Sequence, residues 1–479
     1  MHNADYGQSP SDSQIALEPL ENQQKINSVW IKYLPGILRV RMSGRHNLQA
    51  VLGNSTWLFM DKILRMGVGL LVGVWIARYL GPGRFGLLNY AIAFTSLFGA
   101  LATFGIDGIV VRELVNSPEK RDEILGSAFV LKLIGASTAF VIVLASISIM
   151  RPGETLTFWV VGLSAATFIF QSLNVIDLLF QSRVQSRYTI YAANSAFILF
   201  ALVKVVLVLI AASLIAFAWA SLGEIVFTSL FLLVAYRAQG MNVWVWRSRL
   251  HVMRDLLWAS WPLMLSGISV MISTRVDQVL IGQMLNDKEV GIYSAAARIA
   301  EIWYFIPLGI AGSAFPLLVE SKKQSEELYY ERLQKLYNVL AMLSIAFALA
   351  MTMLSVPIVK LLYGPAYVTA SGVLSILIWS GVPVSLGCAW SNWMLLENRT
   401  RTMFFVQFSG AAINLILNLL LIPRFGIIGS ACATLISYWS WLTIICPIMK
   451  SQRKTLAMVG KAVFPFWLFS RSGNKSTSL

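Results

Sequence analysis

The chain is a series of long apolar runs, separated by short segments rich in glycine, proline and charged residues. A membrane-spanning helix needs about 20 predominantly apolar residues, and about a dozen runs are that long. We therefore predict an all-α polytopic membrane protein with about 12 transmembrane helices. The predicted helices are residues 55–79, 86–106, 124–149, 156–180, 188–211, 214–236, 256–285, 290–318, 333–358, 368–396, 401–422 and 427–449.

The runs fall into two sets of six helices that look related. The segment Phe85–Ala91, which opens the second helix, matches Val290–Ala296, which opens the eighth. Six helices per repeat give parallel repeats related by an axis along the membrane normal, so we predict two pseudo-symmetric bundles. The alternative is a chance likeness between two apolar hairpins. The predicted divisions are an N-terminal tail at 1–54, a six-helix bundle at 55–236, a linker at 237–255, a second bundle at 256–449 and a C-terminal tail at 450–479.

The distribution of lysine and arginine predicts the orientation. With a cytoplasmic N-terminus, the inside segments hold 26 Lys and Arg residues and the outside loops hold 6. Cytoplasmic loops carry the excess of positive charge in membrane proteins. We therefore predict that both termini, the basic tail and the linker are cytoplasmic, and that the outside loops are short.

Composition agrees with a membrane protein, since 57% of the 479 residues are hydrophobic and only 13% are charged. The net charge of +15 therefore indicates basic cytoplasmic loops, and we predict no nucleic-acid partner. The three cysteines all lie in predicted helices and form neither a disulfide framework nor a metal-binding motif. The three histidines lie in tails or loops, which excludes a buried histidine proton relay.

Roughly ten ionisable residues lie well inside the predicted helices. A lipid-facing charge at the membrane centre costs about 2.5–3.5 kcal/mol, so ten would cost on the order of 30 kcal/mol. These residues must therefore face a polar cavity inside the bundle, and such a cavity indicates transport. They are five cations, Arg65, Lys132, Lys204, Arg275 and Arg298, and five carboxylates, Asp61, Asp177, Glu224, Asp277 and Glu301.

Spacing along the helices predicts some of the ion pairs. Asp61 and Arg65 are four residues apart, and Arg298 and Glu301 are three apart, so each pair shares a helix face. Arg275 and Asp277 are two apart and face opposite sides of a regular helix, so we expect one of them to pair with a neighbouring helix.

Lys132 and Lys204 have no carboxylate within two turns on their own helices. They either face a lumen or form tertiary ion pairs with Asp177 or Glu224. Glu224 in turn is either a proton carrier, because burial raises the pKa of a carboxyl group, or the counter-ion of Lys204, which we prefer.

Neutral polar and aromatic residues inside the helices have two interpretations each. Asn414 and Asn418 share a helix face and either bind sugar hydroxyls or bridge neighbouring helices. Aromatic residues could stack on sugar rings or anchor the protein at the membrane interface. These aromatic residues are Trp303, Tyr304, Trp390 and Trp393.

Three stretches carry a resemblance to a known family: Trp57–Arg65 with Ala77–Leu87, Phe104–Glu113, and Asn414–Thr434. They resemble the Wzx-like polysaccharide and O-antigen flippases of the multidrug/oligosaccharidyl-lipid/polysaccharide (MOP) exporter superfamily. The resemblance in helix plan covers about residues 50–450. It implies a MATE-like fold and a transporter, not an enzyme, that moves undecaprenyl-pyrophosphate-linked oligosaccharide across the bacterial inner membrane for surface or exopolysaccharide synthesis.

The cations fit this substrate, because Arg binds pyrophosphate oxygens in a fork and Lys binds them as a point charge. We therefore predict that the five cations bind substrate while the two bundles alternate between inside and outside access, and that the carboxylates couple ions or form ion pairs. The predicted partners are the lipid-linked oligosaccharide and membrane lipids, with a polysaccharide polymerase and chain-length proteins as further candidates. The coupling ion is left open between proton, sodium and none.

The rival within transport is a MATE-type drug/cation antiporter. A membrane glycosyltransferase or polymerase would need a large outer loop with carboxylates or arginines, and the sequence predicts none. The sequence contains no Walker A motif, no GxGxxG that opens a strand, no HExxH and no GxSxG. We therefore expect no cofactor and no ATP-driven step.

Overall fold

The structure, a computed structural model, describes residues 46–397, 399–442 and 453–463, and the side chains of residues 46–61, 63, 400 and 453 lie outside the description. Most of the two predicted tails, 1–54 and 450–479, is therefore outside the described residues. The described residues form helices and connecting turns without any strand. The α-helices are α1 His46–Ser96, α2 Gly99–Thr103, α3 Asp107–Asn116, α4 Arg121–Met150, α5 Thr155–Gln171, α6 Val175–Ser182, α7 Arg187–Leu209, α8 Leu214–Ala238, α9 Leu250–Met284, α10 Asp287–Trp303, α11 Phe305–Gln324, α12 Glu326–Met353, α13 Ser355–Tyr363, α14 Ala370–Leu377, α15 Gly381–Leu396, α16 Thr400–Ser440 and α17 Arg453–Val463.

Ten helical segments of the described chain are long and apolar enough to cross a membrane. Two of them, in α1 and α16, contain a glycine with non-helical backbone angles: Gly81 at φ 68°, ψ 170° and Gly426 at φ 59°, ψ −140°. Positive φ is costly for residues with a Cβ and costs glycine little, so the chain can turn sharply at both places.

Both bends reverse the chain. A Cβ added to Gly429 would lie 2.7 Å from the carbonyl carbon of Leu421, although eight residues of straight helix span about 12 Å. In α1, Gly73 and Phe85 both contact the side chain of Arg298. Each bent helix therefore provides two crossings, and the ten segments provide twelve, which confirms the predicted all-α fold class.

The predicted boundaries hold where glycine and proline mark the turns. The short break near Ser213 is confirmed, since α7 ends at Leu209 and α8 begins at Leu214. The predicted loop 107–123 is wrong in one respect, because it contains α3, which buries Ile109, Val110 and Leu114. At ten residues α3 is too short for a criterion based on membrane-spanning length. The boundaries of the two bundles stay a prediction.

The two halves meet most closely at a pair of glycines on α1 and α10. A Cβ on Gly86 would lie 2.7 Å from the backbone nitrogen of Gly291 and would overlap the carbonyl oxygen of Asp287. A Cβ on Gly291 would lie 3.0 Å from the nitrogen of Gly86 and would overlap the carbonyl oxygen of Pro82. The contact is reciprocal, because each glycine meets the other glycine and the residue four positions before it. This is the arrangement expected of a two-fold-related contact, and it joins the segments that the sequence repeat pairs.

Candidate functional site

A charged cavity of about 150 Å³ lies beside this contact. Both arms of α1, together with α7 and α8, form its walls, and α10 closes it from the other half. Three charged side chains line it: Lys204, Glu224 and Arg298. The rest of the wall is glycine or apolar except for Asn89 and Ser221, so these charges act in a low-dielectric space where electrostatic interactions are stronger than in water.

Lys204 and Glu224 form an ion pair across this cavity. The Lys204 ammonium lies 2.7 Å from Glu224 Oε2, and the two side chains are 18% and 21% exposed. The expectation that Glu224 is the counter-ion of Lys204 is confirmed. Lys204 also lines the cavity, so the pair is accessible to a ligand.

Arg298 enters the cavity from α10. Its guanidinium lies 5.9 Å from the ring centroid of Phe85 and against the backbone of Gly73, where a Cβ would displace it. No carboxylate of the described chain lies within 4.0 Å of it. The predicted pair between Arg298 and Glu301 is therefore wrong, because Arg298 turns toward α1.

Glu301 instead pairs with Arg275 on α9, at 3.6 Å. Asp277, two residues after Arg275, points to the other side of α9 and is 4% exposed. The expectation that these neighbours face opposite sides, and that one of them pairs with another helix, is confirmed.

Asp277 is surrounded by neutral hydrogen-bond donors. Tyr293 Oη donates to Oδ2 at 2.7 Å, Asn418 Nδ2 donates to Oδ1 at 2.8 Å, and the Thr434 hydroxyl donates to Oδ2. Ser430 supports the cluster by donating to Asn418 Oδ1 at 2.7 Å. No Lys or Arg of the described residues lies within 4.0 Å of Asp277. A buried carboxylate without a cation is costly, and three donors only partly replace the water that it loses.

Sequence reasoning missed Tyr293 and Thr434 as partners of Asp277. The available signal was Asn418, already singled out as a buried amide. Its bond to Asp277 agrees with the interpretation that these asparagines bridge helices.

Lys132 and Asp177 do not line the charged cavity. Lys132 is buried and pairs with Asp107 at 2.6 Å, so of its two alternatives it has the tertiary ion pair, but the partners expected for it, Asp177 and Glu224, are wrong. Asp107 begins α3, the helix that the sequence did not predict. Asp177 accepts hydrogen bonds from Thr189 at 2.6 Å and Gln181 at 2.8 Å.

Arg65 lies near the cavity, and its guanidinium is 5.2 Å from the ring of Phe197, a wall residue. The predicted Asp61–Arg65 pair cannot be described, since the Asp61 side chain lies outside the described residues. The structure thus brings Lys204, Glu224 and Arg298 together and places Arg65 beside them.

Polar contacts near the paired glycines also join the halves, at the end predicted to face outside. Arg151 Nη1 lies 2.8 Å from Asp287 Oδ1, its Nη2 donates to the carbonyl oxygen of Gly282 at 2.6 Å, and its guanidinium stacks 4.0 Å from the ring of Tyr90. The pKa of Arg151 is raised: burial opposes the charge, and the hydrogen bond and charge of Asp287 outweigh it. Arg151 is therefore a permanent charge that bridges the halves.

Comparison with known proteins identifies the family. The family model described as "Polysaccharide biosynthesis protein" matches residues 51–322, and the model described as "MatE" matches residues 262–420. The chain is 26% identical over 397 residues to "Probable flippase AglR" of Haloferax volcanii, covering 79% of each protein. It is 24% identical over 413 residues to "Probable low-salt glycan biosynthesis flippase Agl15" of the same organism, covering 80% of each.

Solved structures share the fold at lower identity. A multidrug resistance MATE family transporter of the MOP superfamily, in an inward-facing conformation, superposes with a TM-score of 0.66 at 15% identity, covering 86% of this chain and 96% of the other. The lipid II flippase MurJ in an inward closed conformation gives 0.65 at 15% identity, covering 88% and 94%. The first family model spans more than half of the chain, and the relatives are flippases, which are transporters and not enzymes. The chain therefore belongs to the polysaccharide biosynthesis protein family and is a multi-pass membrane flippase of the MOP superfamily.

Proposed function

We propose that this flippase moves undecaprenyl-pyrophosphate-linked oligosaccharide across the bacterial inner membrane for surface polysaccharide synthesis. One observation carries the proposal: Arg298 lines a cavity where the two halves meet, and no carboxylate of the described residues lies within 4.0 Å to neutralise it. The names of the two relatives agree with this proposal, since both are called probable flippases and one is named for glycan biosynthesis. A carrier of cationic drugs would favour unpaired carboxylates at this place.

The pyrophosphate would bind Arg298 first. A guanidinium offers a planar fork of N–H donors that matches two phosphate oxygens. Lys204 is the second binding residue, and it can share its ammonium between Glu224 and the phosphate. Arg65 and Arg275 lie nearby in the bundle, and we propose that they guide the anion. Lys132, paired with Asp107, would support the α3 region.

Movement would follow by alternating access. The halves separate at the predicted outer end, where the Gly86–Gly291 contact and the Arg151–Asp287 pair now join them, and close at the other end. The glycan travels in the aqueous cavity while the polyprenyl chain stays in the bilayer. Both termini face the cytoplasm, where a supply of lipid-linked oligosaccharide would be synthesised, and a polymerase with chain-length proteins would consume the product outside.

Asp277 is the best placed residue for ion coupling. Of the predicted coupling carboxylates whose side chains are described, Glu224 and Glu301 are paired with cations and Asp177 is partly exposed. Asp277 alone among them is buried with neutral donors only. A proton or sodium ion would neutralise it, so its occupancy can depend on a gradient.

The test is flipping of a fluorescent undecaprenyl-pyrophosphate oligosaccharide in proteoliposomes. Arg298→Ala should lower the initial rate about 10- to 100-fold, because hydrogen bonds to a charged group contribute about 1.5–3 kcal/mol. Arg298→Lys should recover part of the rate, since it keeps the charge and loses the fork. The matched control is Arg424→Ala, which removes an exposed arginine.

Two results would contradict the proposal. Wild-type protein that does not move the lipid-linked oligosaccharide, and instead exchanges a cationic drug for protons or sodium, would make the drug/cation antiporter the better assignment. Equal rates for Arg298→Ala and Arg424→Ala would show that Arg298 does not bind the pyrophosphate.

A further inference from the structure

A second cavity, of about 420 Å³, lies in the C-terminal half between α9, α11, α15 and α16. Its volume is within the range of about 300–1,000 Å³ that small-molecule sites occupy. None of the residues that line it carries a charge. It is therefore unsuited to the pyrophosphate and is chemically distinct from the cavity that holds Arg298.

The wall contains polar groups that make no hydrogen bond with the described part of the chain. Gln407 uses its side-chain oxygen to accept from Ser266 at 3.3 Å, and Asn392 uses its nitrogen to donate to the Ala311 carbonyl at 2.8 Å. Among the described residues, the amide nitrogen of Gln407, the amide oxygen of Asn392 and the hydroxyl of Ser391 have no partner. Two different helices, α15 and α16, thus present one free donor, one free acceptor and one hydroxyl to the same space.

These free groups discriminate between two neutral ligands. An isoprenoid chain would cover them without bonding, and each buried polar group left unpaired costs about 1–3 kcal/mol. A ligand with hydroxyl groups would satisfy both the donor and the acceptor. The cavity is therefore better matched to a sugar than to a polyprenyl chain.

Aromatic rings complete this match. Trp390 and Trp441 line the cavity with their ring centroids 5.3 Å apart and tilted by 38°, and Tyr438 lies beside them. Aromatic rings give a large apolar face, and Trp and Tyr add a polar edge. A sugar ring likewise combines apolar C–H faces with a polar rim.

The cavity adjoins the charged part of the C-terminal half. Ser273, Thr274 and Tyr438 line it and also line a smaller space, of about 30 Å³, that reaches Asp277 and Glu301. Glu301 is the partner of Arg275. A sugar in the large cavity would therefore lie near the Arg275–Glu301 pair, and Arg275 is one of the cations that we propose guide the pyrophosphate.

We propose that this cavity is a glycan subsite that binds the neutral sugar rings next to the pyrophosphate, with Gln407, Asn392 and Ser391 as hydrogen-bonding groups and the partly exposed Trp441 as a stacking surface. The proposal rests on the proposed function, because it assigns one part of the same substrate. The two cavities would then recognise different parts of the substrate: the cavity lined by Arg298 binds the anion, and the C-terminal cavity selects the glycan.

The test compares two probes on the purified full-length protein in nanodiscs: undecaprenyl pyrophosphate alone, and the same lipid carrying a neutral disaccharide. Wild type should bind the disaccharide lipid more tightly. Gln407→Met with Ser391→Ala should weaken binding of the disaccharide lipid about 5-fold or more, while leaving affinity for the bare lipid unchanged. The control Ser409→Ala, on the same helix with its hydroxyl bonded to the Phe405 carbonyl, should change neither affinity.

A second measurement does not depend on the Gln407 variant. Cys388 lines the cavity, so in a Cys432→Ser, Cys446→Ser background it should react with N-ethylmaleimide. The disaccharide lipid should slow this reaction more than the bare lipid does. Equal protection by both probes, or equal affinity of wild type for both, would overturn the glycan subsite.

The two proposals fail in different ways. If wild type binds neither lipid, the proposed function is wrong and the subsite falls with it. If Arg298→Ala weakens both lipids equally while Gln407→Met with Ser391→Ala changes neither, the flippase assignment stands and the subsite is wrong.

Discussion

Gly86→Ala should force the two halves apart at the predicted outer end. The added Cβ would lie 2.7 Å from the nitrogen of Gly291, and an ordinary contact needs at least 3.4 Å. The helices must therefore separate by at least about 0.7 Å, and further to relieve the overlap with the Asp287 carbonyl oxygen. Both neighbours are backbone atoms, so no side-chain rotation can absorb the strain.

The cost falls only on the conformation in which this contact is made. Overpacking a tight contact costs about 1–3 kcal/mol, and the same energy shifts a two-state equilibrium about 5- to 150-fold. If the halves alternate, a conformation that is open at this end escapes the clash. Gly86→Ala should therefore populate the open state without unfolding the protein.

Spin labels can measure the shift. In a cysteine-free background, Thr155→Cys and Lys288→Cys place labels on exposed residues of the two halves at this end, and double electron–electron resonance reports the distances between them. Gly86→Ala should add or enlarge a population at longer distance. The control Gly83→Ala, three residues away with nothing within 4 Å of the added Cβ, should match the unmodified protein. Identical distance distributions for both variants would refute the view that this glycine contact closes the outer end.

Three further predictions concern the charged residues. Lys204→Met should lower the free energy of unfolding by about 1–3 kcal/mol, because it leaves the half-buried Glu224 carboxylate without a partner. Lys204→Met with Glu224→Leu should recover part of the loss, and thermal unfolding in detergent measures both variants. A double variant that is no more stable than the single variant would contradict the pairing. Arg151→Asp should slow flipping and lengthen the outer-end distance, and adding Asp287→Arg should restore both; no rescue by the swapped pair would mean that its charges do not hold the halves together. Asp277→Asn should largely preserve the flipping rate measured in the absence of a gradient, and it should abolish the stimulation of that rate by a proton or sodium gradient. If a gradient still stimulates the variant, Asp277 is not the coupling residue.

The sequence predicts the helices of this fold well, because membrane-spanning length is a strong and local constraint. A helix must satisfy its own backbone hydrogen bonds in lipid and must be about 20 residues long. The turns at Gly81 and Gly426 follow from glycine and proline, whereas the segment around Ser213 contains neither residue, and its break follows only from the length of the apolar run. The sequence did not predict α3, because this helix does not span the membrane and its apolar residues pack on neighbouring helices.

The ion pairs were less predictable, because spacing on one helix says nothing about the neighbouring helix. Glu301 lies three residues from Arg298 and yet pairs with Arg275 on α9. Lys132 pairs with Asp107, which precedes it by 25 positions and sits on the unpredicted helix. The Lys204–Glu224 pair could be predicted from the sequence because the two helices are consecutive and joined by a short turn, which brings their central residues together.

The pairing also changes which cations can bind an anion. Five unpaired cations inside a bundle would cost about 2.5–3.5 kcal/mol each if they faced lipid, and their mutual repulsion would add to this cost. Carboxylates at Asp107, Glu224 and Glu301 neutralise three of them. Of the other two, Arg65 lies beside Phe197, and Arg298 is held between an aromatic ring and a glycine that leaves room for its guanidinium. Under the proposed function, a pyrophosphate would bind there without first displacing a carboxylate of the described residues, and its release outside would require the separation of α1 from α10.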